Sequence, residues 1–181
     1  MDHLLQKHMP LKKSVVIALQ DAFLKERDLA YHIPLHPNEA DTSCAGKHLR
    51  LMAFCKKESI PVRQRIVFFR WEDIAFPKEI LALNKEKNPS HLYLEISDGE
   101  TWHSIDATWD PGLVPLLPIN TWNDFREEMR IAVEPTKILS QEESMEYMDS
   151  LKDFDVDAHL KKQRPFLEAL NQYLNQIRQC V

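Results

Sequence analysis

Apolar residues recur at helical spacing across residues 11–30. Leu11, Val15, Ala18, Leu19, Ala22 and Phe23 fall on one face and predict an amphipathic helix. The period is lost between Tyr31 and Ser43, where Pro34, Pro37, Asn38 and Asp41 mark a loop. A second helix is expected to open at Ser43 or Cys44, with Asp41, Thr42 and Ser43 all eligible as N-caps. Leu49, Met52, Ala53 and Cys55 are its apolar positions, and Ile60-Pro61 closes it. The pattern then turns β-branched and aromatic. Ile66, Val67, Phe68 and Phe69 predict a strand over residues 65–70. Two more strands are expected at 91–97 and 100–108, joined by Asp98-Gly99, a strong hairpin signal. A charged connection separates these from the first strand, with a short helix starting near Pro77. Beyond Asp110-Pro111-Gly112 and a proline-punctuated run to Pro118, three helices are expected. The first covers 121–133, and the second opens at Ser140 with Glu143 in capping-box position. The third covers 157–179 and is interrupted or kinked at Pro165. Helices, then an antiparallel hairpin, then helices is an α+β order.

Composition narrows the function classes. A chain of 181 residues with 44% hydrophobic content fits one domain, 1–181. The net charge of -5 and pI near 5.9, with lysines and arginines dispersed among acids, argue against a nucleic-acid partner. Lys12 and Lys13 precede the apolar run from Val15 to Leu19, but Gln20 and Asp21 end it and no small-residue cleavage site follows. No stretch is apolar for long enough to span a membrane. The expectation is a cytoplasmic chain with no membrane partner. Its cysteines, Cys44, Cys55 and Cys180, are then thiols rather than a disulfide frame.

The hairpin carries the first chemical indication. A two-residue turn at Asp98-Gly99 pairs Ser97 with Glu100, and counting outward sets His91 opposite Asp106. A carboxylate there would hold one imidazole nitrogen and fix the tautomer. Tyr93 and Trp102 share that face, whereas Leu92, Leu94, Ile96 and Ile105 lie on the other and suit a core. Cys44 is the best-placed thiol. The unpaired N–H groups of a helix start favour a thiolate and could receive the oxyanion of a tetrahedral intermediate. Cys55 sits near the far end of the same helix.

In order and spacing, these motifs resemble the transglutaminase-like superfamily of papain-fold enzymes. They are Cys44 opening a helix, Ile60-Pro61-Val62-Arg63 leading into a strand, His91-Leu92-Tyr93 on a strand, and Asp106-Ala107-Thr108-Trp109 on the next. The resemblance covers roughly residues 40–112, under half the chain. It implies a papain-like/transglutaminase-like core at about 38–118, with the Cys helix packed on an antiparallel sheet and a helical C-terminal extension at about 119–181. It also implies Cys44 as nucleophile, His91 as general base then acid, and Asp106 as the orienting group. The reaction expected is hydrolysis or acyl transfer on a protein, peptide or small amide, through a thioester and without cofactor or metal. The chain departs from bacterial members at Asp41-Thr42-Ser43, Ser59 and Leu92-Tyr93. No Trp precedes Trp71, which leaves Gln20, His36 and Asn38 open as side-chain oxyanion donors.

Other readings stand beside this one. Tyr93 and Trp109 are the candidate substrate contacts, although core is the default for aromatic residues. The His32/His36 pair and His48 suggest a metal site only faintly, because no CxxC or HExxH pattern accompanies them. The charge-rich stretch 79–87 reads as solvated surface or as a loop gating the site, and the C-terminal helices are candidates to cover the cleft. The alternative to an enzyme is a binding module on the same fold.

Overall fold

The computed structural model describes residues 10–36 and 38–180. Pro37, which the sequence places in the loop before Cys44, lies outside them. Four strands form one antiparallel sheet in the order β3-β2-β1-β4. β1 (Val62–Phe68) pairs with β2 (Ser90–Ser97) along its whole length, from Val62↔Ile96 to Phe68↔Ser90. β3 (Trp102–Ile105) flanks β2, and β4 (Lys137–Ile138) is a two-residue edge on β1.

The alternation of side chains along the strands builds a core on each face. On one face Leu94, Ile96 and Ile105 pack with Leu51 and Cys55 of α2 (Cys44–Lys57) and with Leu19 and Phe23 of α1 (Lys13–Asp28). Ile66 and Leu92, on the same face, pack with Leu139 and with Ala45 and Tyr147. Val67 and Tyr93 point the other way. They join a larger cluster with Trp71, Trp109 and the Phe166, Leu167, Leu170 and Leu174 stripe of α5 (Val156–Gln179). Each fully buried side chain of this size contributes about 1.5–3 kcal/mol, so α5 is a structural layer of the fold. Helices against both faces of an antiparallel sheet make the fold α+β, as its sequence order implies.

Local signals in the sequence account for most elements. α3 (Lys78–Leu81) follows Pro77. α4 (Gln141–Ser150) opens with a complete capping box. The Glu143 amide donates to the Ser140 hydroxyl at 3.2 Å, and the Ser140 amide donates to the Glu143 carboxylate at 2.7 Å. α5 runs through Pro165 without interruption.

Two expectations fail. No helix forms over 121–133. Asp124 and Phe125 take left-handed backbone angles, with φ of 53° and 61°, which end helical continuation. Asn120 and Asn123 also donate their side-chain amides to backbone carbonyls of this segment, competing with helical hydrogen bonds. The hairpin turn is displaced as well. The chain reverses at Gly99 and Glu100, and the Asp98 amide donates to the Thr101 carbonyl. Gly99 supplies the positive φ of 107°. The Asp98 carboxylate accepts the Glu100 and Thr101 amides, which requires Asp98 before the turn rather than in it. The pairing is therefore Ser97↔Trp102 and Leu94↔Ile105, two residues out of the expected register. No helix among the described residues is long and apolar enough to cross a membrane.

Candidate active site

Cys44 is the first residue of α2 and is partly exposed. The loop before it is pressed onto the first helical turn. The Ser43 amide donates to the Asp41 carboxylate at 2.8 Å, and Arg50 donates to the Asp41 carbonyl at 2.6 Å. Gly46 makes this approach possible, since a Cβ there would stand 2.1 Å from the Asp41 carbonyl oxygen. Ser43 occupies the N-cap position, yet its hydroxyl makes no capping bond to the first-turn amides.

The next two residues tie this turn to the chain leaving β3. Lys47, fully buried, donates through Nζ to the Thr108 carbonyl at 2.9 Å and the Arg27 carbonyl at 3.0 Å. Burial pushes its ammonium down to about 8. His48, also fully buried, lies 2.8 Å through Nδ1 from the Cys44 carbonyl oxygen and accepts the Ala107 amide through Nε2 at 2.9 Å. A carbonyl can only accept and an amide can only donate, so His48 is the neutral Nδ1–H tautomer. Burial, and then the proximity of His91, push its ring down to about 4, against the pull of Asp106. Lys47 and His48 thus fix the first turn of α2 against residues 107–108, next to Asp106.

His91 Nε2 and Asp106 Oδ2 are 2.8 Å apart, and both side chains are buried. Direct opposition across the hairpin does not bring them together. β3 ends at Ile105, and the observed register would set Asp106 beside Tyr93. A two-residue slip preserves the face of every side chain, whereas a one-residue slip would have reversed it. The pair therefore survives as a diagonal contact on the expected face. Asp106 is held in place from several directions. Its Oδ2 also accepts the Ala132 amide at 2.8 Å, its Oδ1 accepts the Thr108 amide at 3.0 Å, and its carbonyl accepts Asn120 Nδ2 at 2.8 Å. The irregular segment after residue 119 thus crosses the site to complete the carboxylate's partners, which a helix there would not do.

With Nε2 engaged by Asp106, Nδ1 is the ring nitrogen that Asp106 leaves available, and His91 and Cys44 line the same cavity. Burial alone would discharge this imidazole. The charges of Asp106 and then Cys44, with the hydrogen bond to Asp106, outweigh it and raise His91 to about 10. For Asp106, burial works upward, but His91 and then His48 hold the carboxyl well below the usual carboxylate range. The arrangement is an imidazolium paired with a buried carboxylate and facing, with Cys44 at a helix N-terminus, one cavity.

A cavity of about 240 Å³ opens onto Cys44 and His91. Trp109 lines it, with its indole N–H donated to the Ala132 carbonyl at 2.9 Å. Tyr93 is buried in the core and is not among the lining residues. Tyr31 does line the cavity and packs on Trp109 with ring centroids 4.7 Å apart. Burial, then the charges of Cys44, Asp41 and Asp106, push the Tyr31 phenol well above its ordinary range, so it remains a proton donor. Its only sequence signal is its place upstream of Cys44 in a loop. Gln20, His36 and Asn38 do not line the cavity. His32 bonds to Glu39 at 3.2 Å. Among the described residues, no group of three or more His, Cys, Asp or Glu side chains is placed to hold a metal ion. Cys55 is buried away from the cavity and its thiol is pushed up to about 12 by that burial, while Cys180 is exposed.

α5 and the loop before β2 wall the cavity. Leu160, Phe166 and Leu167 come from α5 and Glu86 from the loop. Gln163 clips the two together, accepting the Lys85 amide at 3.0 Å and donating to Asn84 Oδ1 at 3.2 Å. Asn171 bonds both backbone groups of Ile33. Arg178 donates to the Tyr31 carbonyl and to both carboxylate oxygens of buried Asp110. The helix expected to cover the cleft is thus a built-in wall. Compared with models of protein families, with curated proteins and with solved structures, the chain has no match.

Proposed function

We propose that this chain is a cysteine-dependent acyl hydrolase with a papain-like, transglutaminase-like core, working through a thioester on Cys44. The observation that carries the reading is the buried His91–Asp106 pair at 2.8 Å, with His91 and Cys44 lining one cavity. An imidazolium and a helix N-terminus both favour negative charge on the sulfur. Cys44 attacks the substrate carbonyl, and the first-turn amides that Ser43 leaves uncapped face the developing oxyanion. His91 then gives its proton to the leaving group as the bond to carbon breaks, which leaves a thioester. Neutral His91 next takes a proton from water as water adds to that thioester. Collapse of the second tetrahedral intermediate releases a carboxylic acid and restores Cys44. Asp106 keeps Nε2–H engaged throughout, so Nδ1 is the nitrogen that passes the proton. Water is the default acceptor in a cavity open to solvent, and an amine arriving there would complete transfer instead.

The test is the reaction of the full chain with p-nitrophenyl acetate. A burst of p-nitrophenolate equal to the enzyme, with the acetyl group located on the Cys44 peptide by mass spectrometry and absent from Cys44→Ser, is expected. No burst, or acetyl found on lysines and Cys180 alone, would overturn the assignment.

A further inference from the structure

The walls of the cavity go further than the reaction class. Five aromatic side chains surround it, Tyr31, Phe69, Trp71, Trp109 and Phe166, and every one is buried. They hold one another in place. Tyr31 packs on Trp109, and Trp71 packs edge-on against both Phe69 and Phe166 at 4.9 and 5.2 Å between centroids. The charged or ionisable residues Glu86 and His159 also line the space, but they are only partly buried, so they belong to its rim. The cavity, about 240 Å³, has room for a small group such as one aromatic ring. α5 and the loop that Gln163 clips to it form one wall of the cavity.

Resting on the acyl-hydrolase reading above, we propose that the group carried to Cys44 is a small aryl or aryl-alkyl acyl group from a small-molecule ester, thioester or amide. The benzoyl and phenylacetyl groups define the class. The ring occupies the aromatic pocket and sets the carbonyl carbon before the Cys44 sulfur. The C–S bond forms there, the bond from carbon to the leaving heteroatom breaks, and His91 protonates that heteroatom. Water then cleaves the C–S bond, giving the aryl carboxylic acid and the free thiol. The aromatic walls gain from every ring carbon removed from water, while the lining residues Trp71 and Thr108 each keep a buried polar atom, Nε1 and Oγ1, without a partner among the described residues.

The test uses the full chain and a series of p-nitrophenyl esters: acetate, butyrate, benzoate, phenylacetate and laurate. Each rate is divided by that ester's reaction with N-acetylcysteine, which removes differences in intrinsic reactivity. The expected result is a normalised kcat/KM for benzoate or phenylacetate at least tenfold above acetate and above laurate. Leu160→Trp, at the partly exposed end of the wall, is expected to cut the aryl-to-acetyl ratio at least tenfold, with folding checked by circular dichroism. Casein labelling with dansylcadaverine is run alongside. If Cys44 alkylates faster than Cys180 with iodoacetamide but acetate or laurate is preferred, the substrate assignment is wrong and the acyl-hydrolase reading stands. If casein is labelled faster than the aryl ester turns over, the substrate assignment is wrong and an amine replaces water as acceptor, while the Cys44 thioester stands. If Cys44 shows no such advantage, the reading and the substrate assignment fall together.

Discussion

Acidification should loosen this site through His48. Its ring is buried and neutral, with both nitrogens engaged by backbone groups, and its folded value of about 4 lies below the ordinary 6.5. The unfolded chain therefore takes up a proton below pH 6.5 that the folded chain refuses until about pH 4. A lowered histidine gives stability that is present above its unfolded value and is lost as pH falls toward its folded one. For these two values the loss is about 2 kcal/mol at pH 5 and about 3 kcal/mol at pH 4. Folded His91 stays charged throughout that window, with a value of about 10, and the proton uptake of unfolded His91 is common to both proteins and cancels in the comparison. His48→Gln keeps an acceptor for the Ala107 amide and carries no titrating group. Urea unfolding of both proteins at pH 7, 6, 5 and 4 measures the difference directly. The stability advantage of the natural protein over His48→Gln should shrink by about 3 kcal/mol from pH 7 to pH 4. Parallel profiles would refute the reasoning, since they would mean that His48 takes up its proton as readily folded as unfolded.

Three further perturbations probe the supports of the site. Asp106→Ala should slow the p-nitrophenol burst by about 1000-fold, and Asp106→Asn should recover part of that because its amide oxygen still accepts Nε2–H. Gly46→Ala forces a Cβ to within 2.1 Å of the Asp41 carbonyl oxygen, so urea unfolding should report a loss of about 2 kcal/mol. Arg178→Ala strands the buried Asp110 carboxylate, and the expected loss is about 3 kcal/mol by the same assay.

Much of the site is legible in the chain because it depends on local signals. Cys44 at a helix start follows from the loss of helical period before it and the polar residues around 41–43. The face shared by His91 and Asp106 follows from strand alternation. Even the misplaced turn left that face intact, because Gly99 rather than Asp98 takes the first corner position and the slip is an even number. What the pattern hides is long-range. Lys47 and His48 read as one polar and one ordinary helix position, yet both are buried because backbone carbonyls and an amide from distant segments meet them. Tyr31 carries no motif, and only the fold sets it against Trp109. The stretch 121–133 has a helix-compatible composition. The tertiary demand for an Ala132 amide at Asp106 and left-handed backbone at 124–125 prevails over it. The apolar stripe of α5 is visible in the sequence, but not that it walls the cavity.

Iodoacetamide alkylation at pH 7, followed residue by residue by mass spectrometry, tests the central claim most directly. Cys180 is the more exposed thiol, and Cys55 is buried with its thiol pushed up to about 12. Cys44 should nonetheless react about tenfold faster than Cys180, and His91→Ala should abolish that advantage. A Cys44 that reacts no faster than Cys180, or that keeps its rate without His91, would contradict a nucleophile activated by the His91–Asp106 pair.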